Sequence, residues 1–300
     1  MKVAIIIPYF GKFPVYFDLF LYSCSLNNGI DWIFFTDCEI PIKVYPNTIF
    51  KQVSFKDYCK RVSDELNISF SPQTPYKLCD LKPFYGVIHK TELNGYDFWG
   101  FGDCDLIYGD LMSFFKEKFE RYNFITTHRA RVAGHLTFVK NNSRYTTMCF
   151  KIPYWQDKLC DHKHHGLDEA EYTALVYPGY KFFARLFNYI LNPLRIIKDE
   201  TYFNLINVMF CNRLTKVWFK EYYTTPLPSP EDIYISKKNK VFRGNDCFEL
   251  PYIHFLFFKK TPYVQTDKYW NDGYYKISNI ERMIATEREV MITLDGISVK

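Results

Sequence analysis

The stretch "FWGFGDCDLIYGDL", Phe98 to Leu111, decides how the rest of the chain is read. Aromatic and small residues from Tyr96 to Gly102 suit a strand in the middle of a sheet, and the acidic pair Asp103 and Asp105 falls at or just past its end. Alternate residues of an extended segment point the same way, so both carboxylates can reach one hard divalent cation, Mn²⁺ or Mg²⁺. A bare Asp-x-Asp is more often a turn or a helix cap. The surroundings therefore have to choose between the two readings.

Upstream, "KVAIIIPYF" is a continuous apolar run ending in Pro8 and Tyr9, as a central parallel strand requires. Helix-compatible spacing follows from Phe13 to Leu26. "DWIFFTD" then repeats the pattern, a short apolar run closed by Thr36 and Asp37. Strand, helix, strand at this spacing predicts a doubly wound α/β sheet whose ligands sit beyond the strands' C-terminal ends, with Pro8, Tyr9, Thr36 and Asp37 lining one crevice. A helix is expected after Phe55, and a turn-rich segment runs from Ser69 to Gly86. The fold class is α/β, with a mixed, mostly parallel sheet flanked by helices. Three regions are expected: a core over 1–177, a helical insertion over 178–240, and a C-terminal part over 241–300.

With 300 residues, 48% of them hydrophobic and 20% aromatic, the chain has ample core, and its 29 Phe and 25 Tyr leave rings over for clefts and surfaces that stack on sugars or bases. The formal charge of +5 is modest and no block of Lys and Arg forms a nucleic-acid footprint. Nine Cys without a CxxC pair favour reduced thiols, and the short N-terminal apolar run, stopped at Pro8, does not read as a secretory signal. A cytoplasmic protein is expected. In "YPGYKFFARLFNYILNPLRIIKDE", Phe183, Phe187 and Ile190 share a helical face while Lys181, Arg185, Arg195 and Lys198 supply charge. Such a helix either packs as an ordinary insertion or lies along an anionic membrane face over 181–198.

Taken as an ordered set, "IIIPYF", "FFTD", "YKLCDLKPFYG" and "GDCDLIYGDL" resemble the metal-dependent, Asp-x-Asp-containing glycosyltransferases of the GT-A (Rossmann-like) fold, and among them a bacterial group from surface-polysaccharide clusters. The likeness runs from Met1 to about Asn142, with weaker correspondences later. It implies a nucleotide-sugar donor, UDP preferred, whose diphosphate meets Asp103 and Asp105 through a divalent metal. It also implies a glycan or lipid-linked glycan acceptor, as in capsule or O-antigen synthesis.

The same resemblance assigns further residues, each with a plainer alternative. Lys77, Asp80 and Lys82 would face the nucleotide, Asp80 on ribose or base and a Lys on phosphate, unless they form an exposed salt-bridged turn. In "RVAGHLTFVKNN", His135 would share a strand face with Thr137 and bond a sugar hydroxyl, or be a satisfied core His. Asp168 and Glu169 open a helix, which alone explains acidic residues there; in similar enzymes a matching pair lies near the reacting sugar carbon, and Asp168 is preferred as its catalytic member. His254, in "ELPYIHFLFFKK", would complete the metal set, with Lys259 or Lys260 countering the diphosphate charge; the Gly usual between that His and Lys is missing. Cys160, His162, His164 and His165 invite zinc, but their spacing is irregular. The rival functions are a nucleotidyltransferase, for which "PYFGKFPVYF" is too poor in Gly and Lys, and an inactive carbohydrate-binding protein on the same fold.

Overall fold

The computed structural model describes residues 1–14, 16–129, 131–177, 216–225, 234–244, 248–256, 289–293 and 296–299. Lys259, Lys260 and the 181–198 segment lie outside the described residues. The chain divides into two compact units.

The first unit comprises Met1–Pro8, Val53–Gly102 and Glu117–Glu221. Its strands are β1 (Val3–Pro8), β4 (Phe98–Gly102), β6 (Phe124–Thr126), β7 (Leu136–Lys140) and β8 (Val217–Phe219), in the order β1-β4-β7-β6-β8. β1 runs parallel to β4 with Ile5 beside Gly100, and β6 runs parallel to β8. β7 alone is reversed, pairing antiparallel with β4 and with β6. The sheet is thus mixed and mostly parallel, as expected. β1 is buried along nearly its whole length, which explains its unbroken apolar run. Gly100 is required by β7: a Cβ there would stand 2.5 Å from the Thr137 carbonyl oxygen.

Helices flank these strands. α2 (Phe55–Leu66) starts where Ser54 Oγ accepts the Asp57 N–H and stops at Asn67, which takes the left-handed conformation. A 3-10 helix over Pro75–Phe84 runs into α3 (Tyr85–Ile88), with Pro75 fixing its start. α5 (Ser143–Thr146) and α6 (Trp155–Cys160) follow β7. Gly166, at φ 64°, then turns the chain into a π-helical turn, Leu167–Glu171, continued by α7 (Tyr172–Val176). Under the sheet, the Phe119 ring packs on Phe98 and Phe138.

The second unit comprises Tyr9–Gln52, Asp103–Lys116 and Tyr222–Lys300. α1 (Phe17–Ser25) is shorter than the apolar spacing from Phe13 to Leu26 suggests, and β2 (Ile30–Thr36) runs parallel to β3 (Thr48–Gln52). β5 (Leu106–Tyr108) pairs antiparallel with β12 (Tyr252–His254). An antiparallel sheet holds β9 (Tyr234–Lys237), β10 (Lys240–Arg243), β11 (Phe248–Leu250), β13 (Val290–Thr293) and β14 (Gly296–Val299), in the order β11-β10-β9-β13-β14. α4 (Leu111–Arg121) carries the chain from this unit to the first. Leu19, Ile107, Val241, Leu250, Ile253 and Phe255 are part of one buried cluster. Within the region expected as a helical insertion, 178–240, the described residues form β8 and β9 and contain no helix. Among the described residues, no helix is long and apolar enough to cross a membrane.

Candidate functional site

β4 ends at Gly102, and the chain leaves it through Asp103, Cys104 and Asp105 into β5. This short segment is held firmly. The Tyr108 N–H donates to Ser23 Oγ at 3.1 Å, and buried Asn27 bonds the Gly109 carbonyl and the Leu111 N–H. Across the β5–β12 pair His254 stands opposite Leu106, and the Phe255 N–H donates to the Asp105 carbonyl at 2.9 Å. Backbone pairing therefore delivers the imidazole to the carboxylates.

One ligand atom from each of Asp103, Asp105 and His254 lies within 4.8 Å of the other two. His254 Nε2 is 3.3 Å from Asp105 Oδ2, and both residues are buried. Nδ1 of the same ring is 3.2 Å from Thr225 Oγ1, while the His254 N–H donates to the Thr224 carbonyl. A hydroxyl on Nδ1 orients the ring with Nε2 toward the carboxylates, the arrangement found behind metal-bound imidazoles. Two carboxylates and one imidazole fit a divalent cation, and the nitrogen donor suits Mn²⁺ better than Mg²⁺.

Tyr9 follows β1, and its N–H donates to the Phe35 carbonyl at 2.9 Å. Partial burial, then the neighbouring Cys104, Cys38 and Asp105, push its phenol up to about 12, so it keeps its proton at neutral pH. Asp37 is exposed and accepts the Gly11 N–H at 2.8 Å, where Gly11 takes φ 102°. Thr36 is buried, its hydroxyl accepting the Cys38 N–H. Pro8 ends β1.

The other expected residues gather within the first unit. Lys77, Asp80 and Lys82 of the 3-10 helix are all buried, so the exposed-turn alternative does not hold. Asp80 accepts the His165 and Leu167 N–H groups and pairs with Lys77 Nζ at 2.9 Å and His164 Nδ1 at 3.2 Å. Burial alone would raise its carboxyl; the bonds from His164, Leu167, His165 and Lys77 outweigh burial and hold it well below the usual range. His164 is raised in turn, first by its bond to Asp80. Lys82 Nζ donates to the Gly134 carbonyl at 2.9 Å and lies 3.7 Å from Asp168 Oδ2. Glu169 pairs with Arg131 at 2.9 Å. His135 is half-buried just ahead of β7, and Thr137 is buried with its hydroxyl on Thr126 and the Ala133 carbonyl.

Asp80, His164 and Asp168 also bring ligand atoms within 4.8 Å of one another. Here Lys77 on Asp80 and Lys82 near Asp168 already supply cationic charge where a metal ion would. His165 pairs with Asp161 and Cys160 is an exposed free thiol, so no Cys–His zinc set forms among the described residues.

Sequence reasoning named most of these carboxylates but missed Thr225, Gly134 and the role of His164. Gly134 carried the one available signal, a glycine ahead of a strand: a Cβ there would stand 2.7 Å from Asp168 Oδ2.

The chain is a mixed α/β protein carrying a carboxylate–imidazole group fit for a divalent cation. It belongs to DUF6625, described as a family of unknown function, whose model matches residues 5–281. No curated protein matches it in sequence. Solved structures similar to it include the apo glycosyltransferase GlyE of Streptococcus pneumoniae TIGR4, 13% identical over 63% of this chain and 50% of that one, TM-score 0.31. The galactosyltransferase LgtC with donor and acceptor sugar analogs is 9% identical over 57% and 72%, TM-score 0.30. Mouse xyloside xylosyltransferase 1, apo form, is 12% identical over 59% and 82%, TM-score 0.35. The chain thus spans half the length of the GlyE chain it matches.

Proposed function

We propose that the chain is a glycosyltransferase that moves a sugar from a nucleoside diphosphate donor, UDP preferred, to a glycan acceptor, with Mn²⁺ or Mg²⁺ on Asp103, Asp105 and His254. The observation that carries this reading is the convergence of those three ligand atoms within 4.8 Å, on a loop and a strand pinned by backbone pairing. A cation there would offset charge on the leaving diphosphate.

In the reaction, the acceptor oxygen bonds the anomeric carbon as the bond from that carbon to the diphosphate breaks, and the electron pair leaves with the diphosphate. The acceptor hydroxyl must also lose its proton, to a carboxylate in an inverting reaction or to the leaving diphosphate in a retaining one. The resemblance gives Asp168, with Glu169 beside it, to the donor sugar or to that proton, and His135 to a sugar hydroxyl. Tyr9, a protonated phenol close to Asp105, can donate a hydrogen bond to a ligand oxygen. Asp37, exposed, can accept one from a ribose hydroxyl. The acceptor proposed is a glycan of the bacterial surface-polysaccharide type, capsule or O-antigen.

Calorimetric titration with UDP, GDP and CDP, each with Mn²⁺ and again with excess EDTA, tests the reading. Binding of one nucleotide only with Mn²⁺ is expected. If none binds in either condition, the proposal fails.

A further inference from the structure

Lys77 and Asp80 form a nearly solvent-free ion pair, their side chains 1% and 0% exposed, and their remaining polar contacts run to one stretch of chain. Lys77 Nζ donates to the Lys158 carbonyl at 2.6 Å and to the Lys163 carbonyl. The first belongs to the last turn of α6, where carbonyls lack helical partners and a cation is favoured. Asp80 Oδ2 accepts the His165 N–H at 2.9 Å and Oδ1 the Leu167 N–H at 3.0 Å, on either side of Gly166, whose φ of 64° reverses the chain. Asp168 is the next residue. A buried ammonium has three donors, and here Asp80 and two carbonyls take them. His164 Nδ1, 3.2 Å from Asp80 Oδ1, belongs to the same stretch. The Lys77 and Asp80 side chains are themselves closed off from solvent, so neither faces outward to meet a nucleotide.

We propose that Lys77 and Asp80 are positioning residues: together they fasten the 161–167 loop and so set the Asp168 carboxylate against Gly134 and Lys82, without themselves touching the donor. As far as it concerns Asp168, this rests on the glycosyl-transfer reading above. A buried pair that has lost one partner leaves a bare charge in the interior, whereas neutralising both partners is tolerated. Asp80→Asn alone can therefore fail to fold, and the doubly neutral Lys77→Met, Asp80→Asn chain is the informative variant.

Three measurements decide the matter. In the wild-type chain the amides of His165 and Leu167 should exchange with deuterium more slowly than the exposed amides around them; equal exchange overturns the proposal. In the doubly neutral variant, exchange over 161–167 should rise about tenfold or more while β7 keeps its protection, and unchanged exchange overturns it. UDP affinity with Mn²⁺ should stay within about twofold of wild type, and turnover should fall about tenfold or more at unchanged donor KM, as displacement of a catalytic group requires. A tenfold loss of UDP affinity with the loop still protected would place Lys77 and Asp80 on the nucleotide and overturn the proposal. Should the wild-type chain bind none of the three nucleotides, the glycosyl-transfer reading fails, and the exchange measurements alone decide the loop's fastening.

Discussion

His254 Nε2 lies 3.3 Å from Asp105 Oδ2, brought there by the register that sets His254 opposite Leu106 in the β5–β12 pair. A cation held by this pair and Asp103 should be held far more weakly without either partner. His254→Ala and Asp105→Asn are each expected to lower Mn²⁺ affinity about a hundredfold and to abolish metal-dependent UDP binding, since one of three protein ligands is lost. Calorimetry with Mn²⁺ alone checks this. Wild-type affinity in both variants would remove the metal assignment.

Thr225 stands behind the imidazole, its Oγ1 3.2 Å from His254 Nδ1. Thr225→Val keeps the side-chain shape and removes the hydrogen bond. Groups in this position typically govern metal affinity by about 10- to 100-fold. A Mn²⁺ titration of the valine variant should fall in that range with an unchanged melting transition. An unaltered affinity would mean that strand pairing alone orients the ring.

How much of this was legible in the sequence depends on how local each cause is. β1 and β2 could be read because a strand buried on both faces must be apolar along its length, and "VAIIIP" and "IDWIFFT" are nearly so. Asp103 and Asp105 stood out because charge follows an aromatic run. His254 did not: within "YIH" it looks like any core residue, and only resemblance pointed to it. Lys77 and Asp80 were visible as a spaced pair, yet their burial depends on a loop more than 80 positions away, with Leu167 87 residues from Asp80. Hydrophobic periodicity carries no trace of such a partner. Likewise strand alternation sets His135 and Thr137 on one face, whereas His135 stands just ahead of β7 and the Thr137 hydroxyl turns to Thr126 and the Ala133 carbonyl.

The Asp80–His164 contact predicts how the 161–167 loop responds to pH. Asp80 is lowered in the folded chain, so its contribution is present above the unfolded carboxylate value of about 3.9 and is lost as pH falls through the folded one. His164 is raised, so its contribution is full below about 6.5 and is lost as pH climbs through the folded value. The difference in urea midpoint between wild type and His164→Gln should therefore be largest between about pH 4 and 6.5 and shrink at higher pH. A difference constant from pH 5 to 9 would show that His164 acts there by packing alone.

Gly134 gives the sharpest test of Asp168. An alanine Cβ at that position would stand 2.7 Å from Asp168 Oδ2, 3.4 Å from Glu169 Oε1 and 3.5 Å from Lys82 Nζ. The first separation is shorter than Cβ contacts allow, so the carboxylate must move, while the other two ask for little. Overpacking of this kind costs about 1–3 kcal/mol, which the melting transition of Gly134→Ala would register. Because displacement of a catalytic group by about 1 Å can cost 100-fold in rate, turnover should fall by about tenfold or more with Mn²⁺-dependent UDP binding retained. Gly100→Ala serves as the contrast, since its Cβ would meet the Thr137 carbonyl at 2.5 Å, in the sheet itself. That variant should lose stability without a selective loss of turnover in the molecules that remain folded. If Gly134→Ala turned over at the wild-type rate despite a lowered melting transition, Asp168 would have no part in the chemical step, and its contact with Lys82 would be structural.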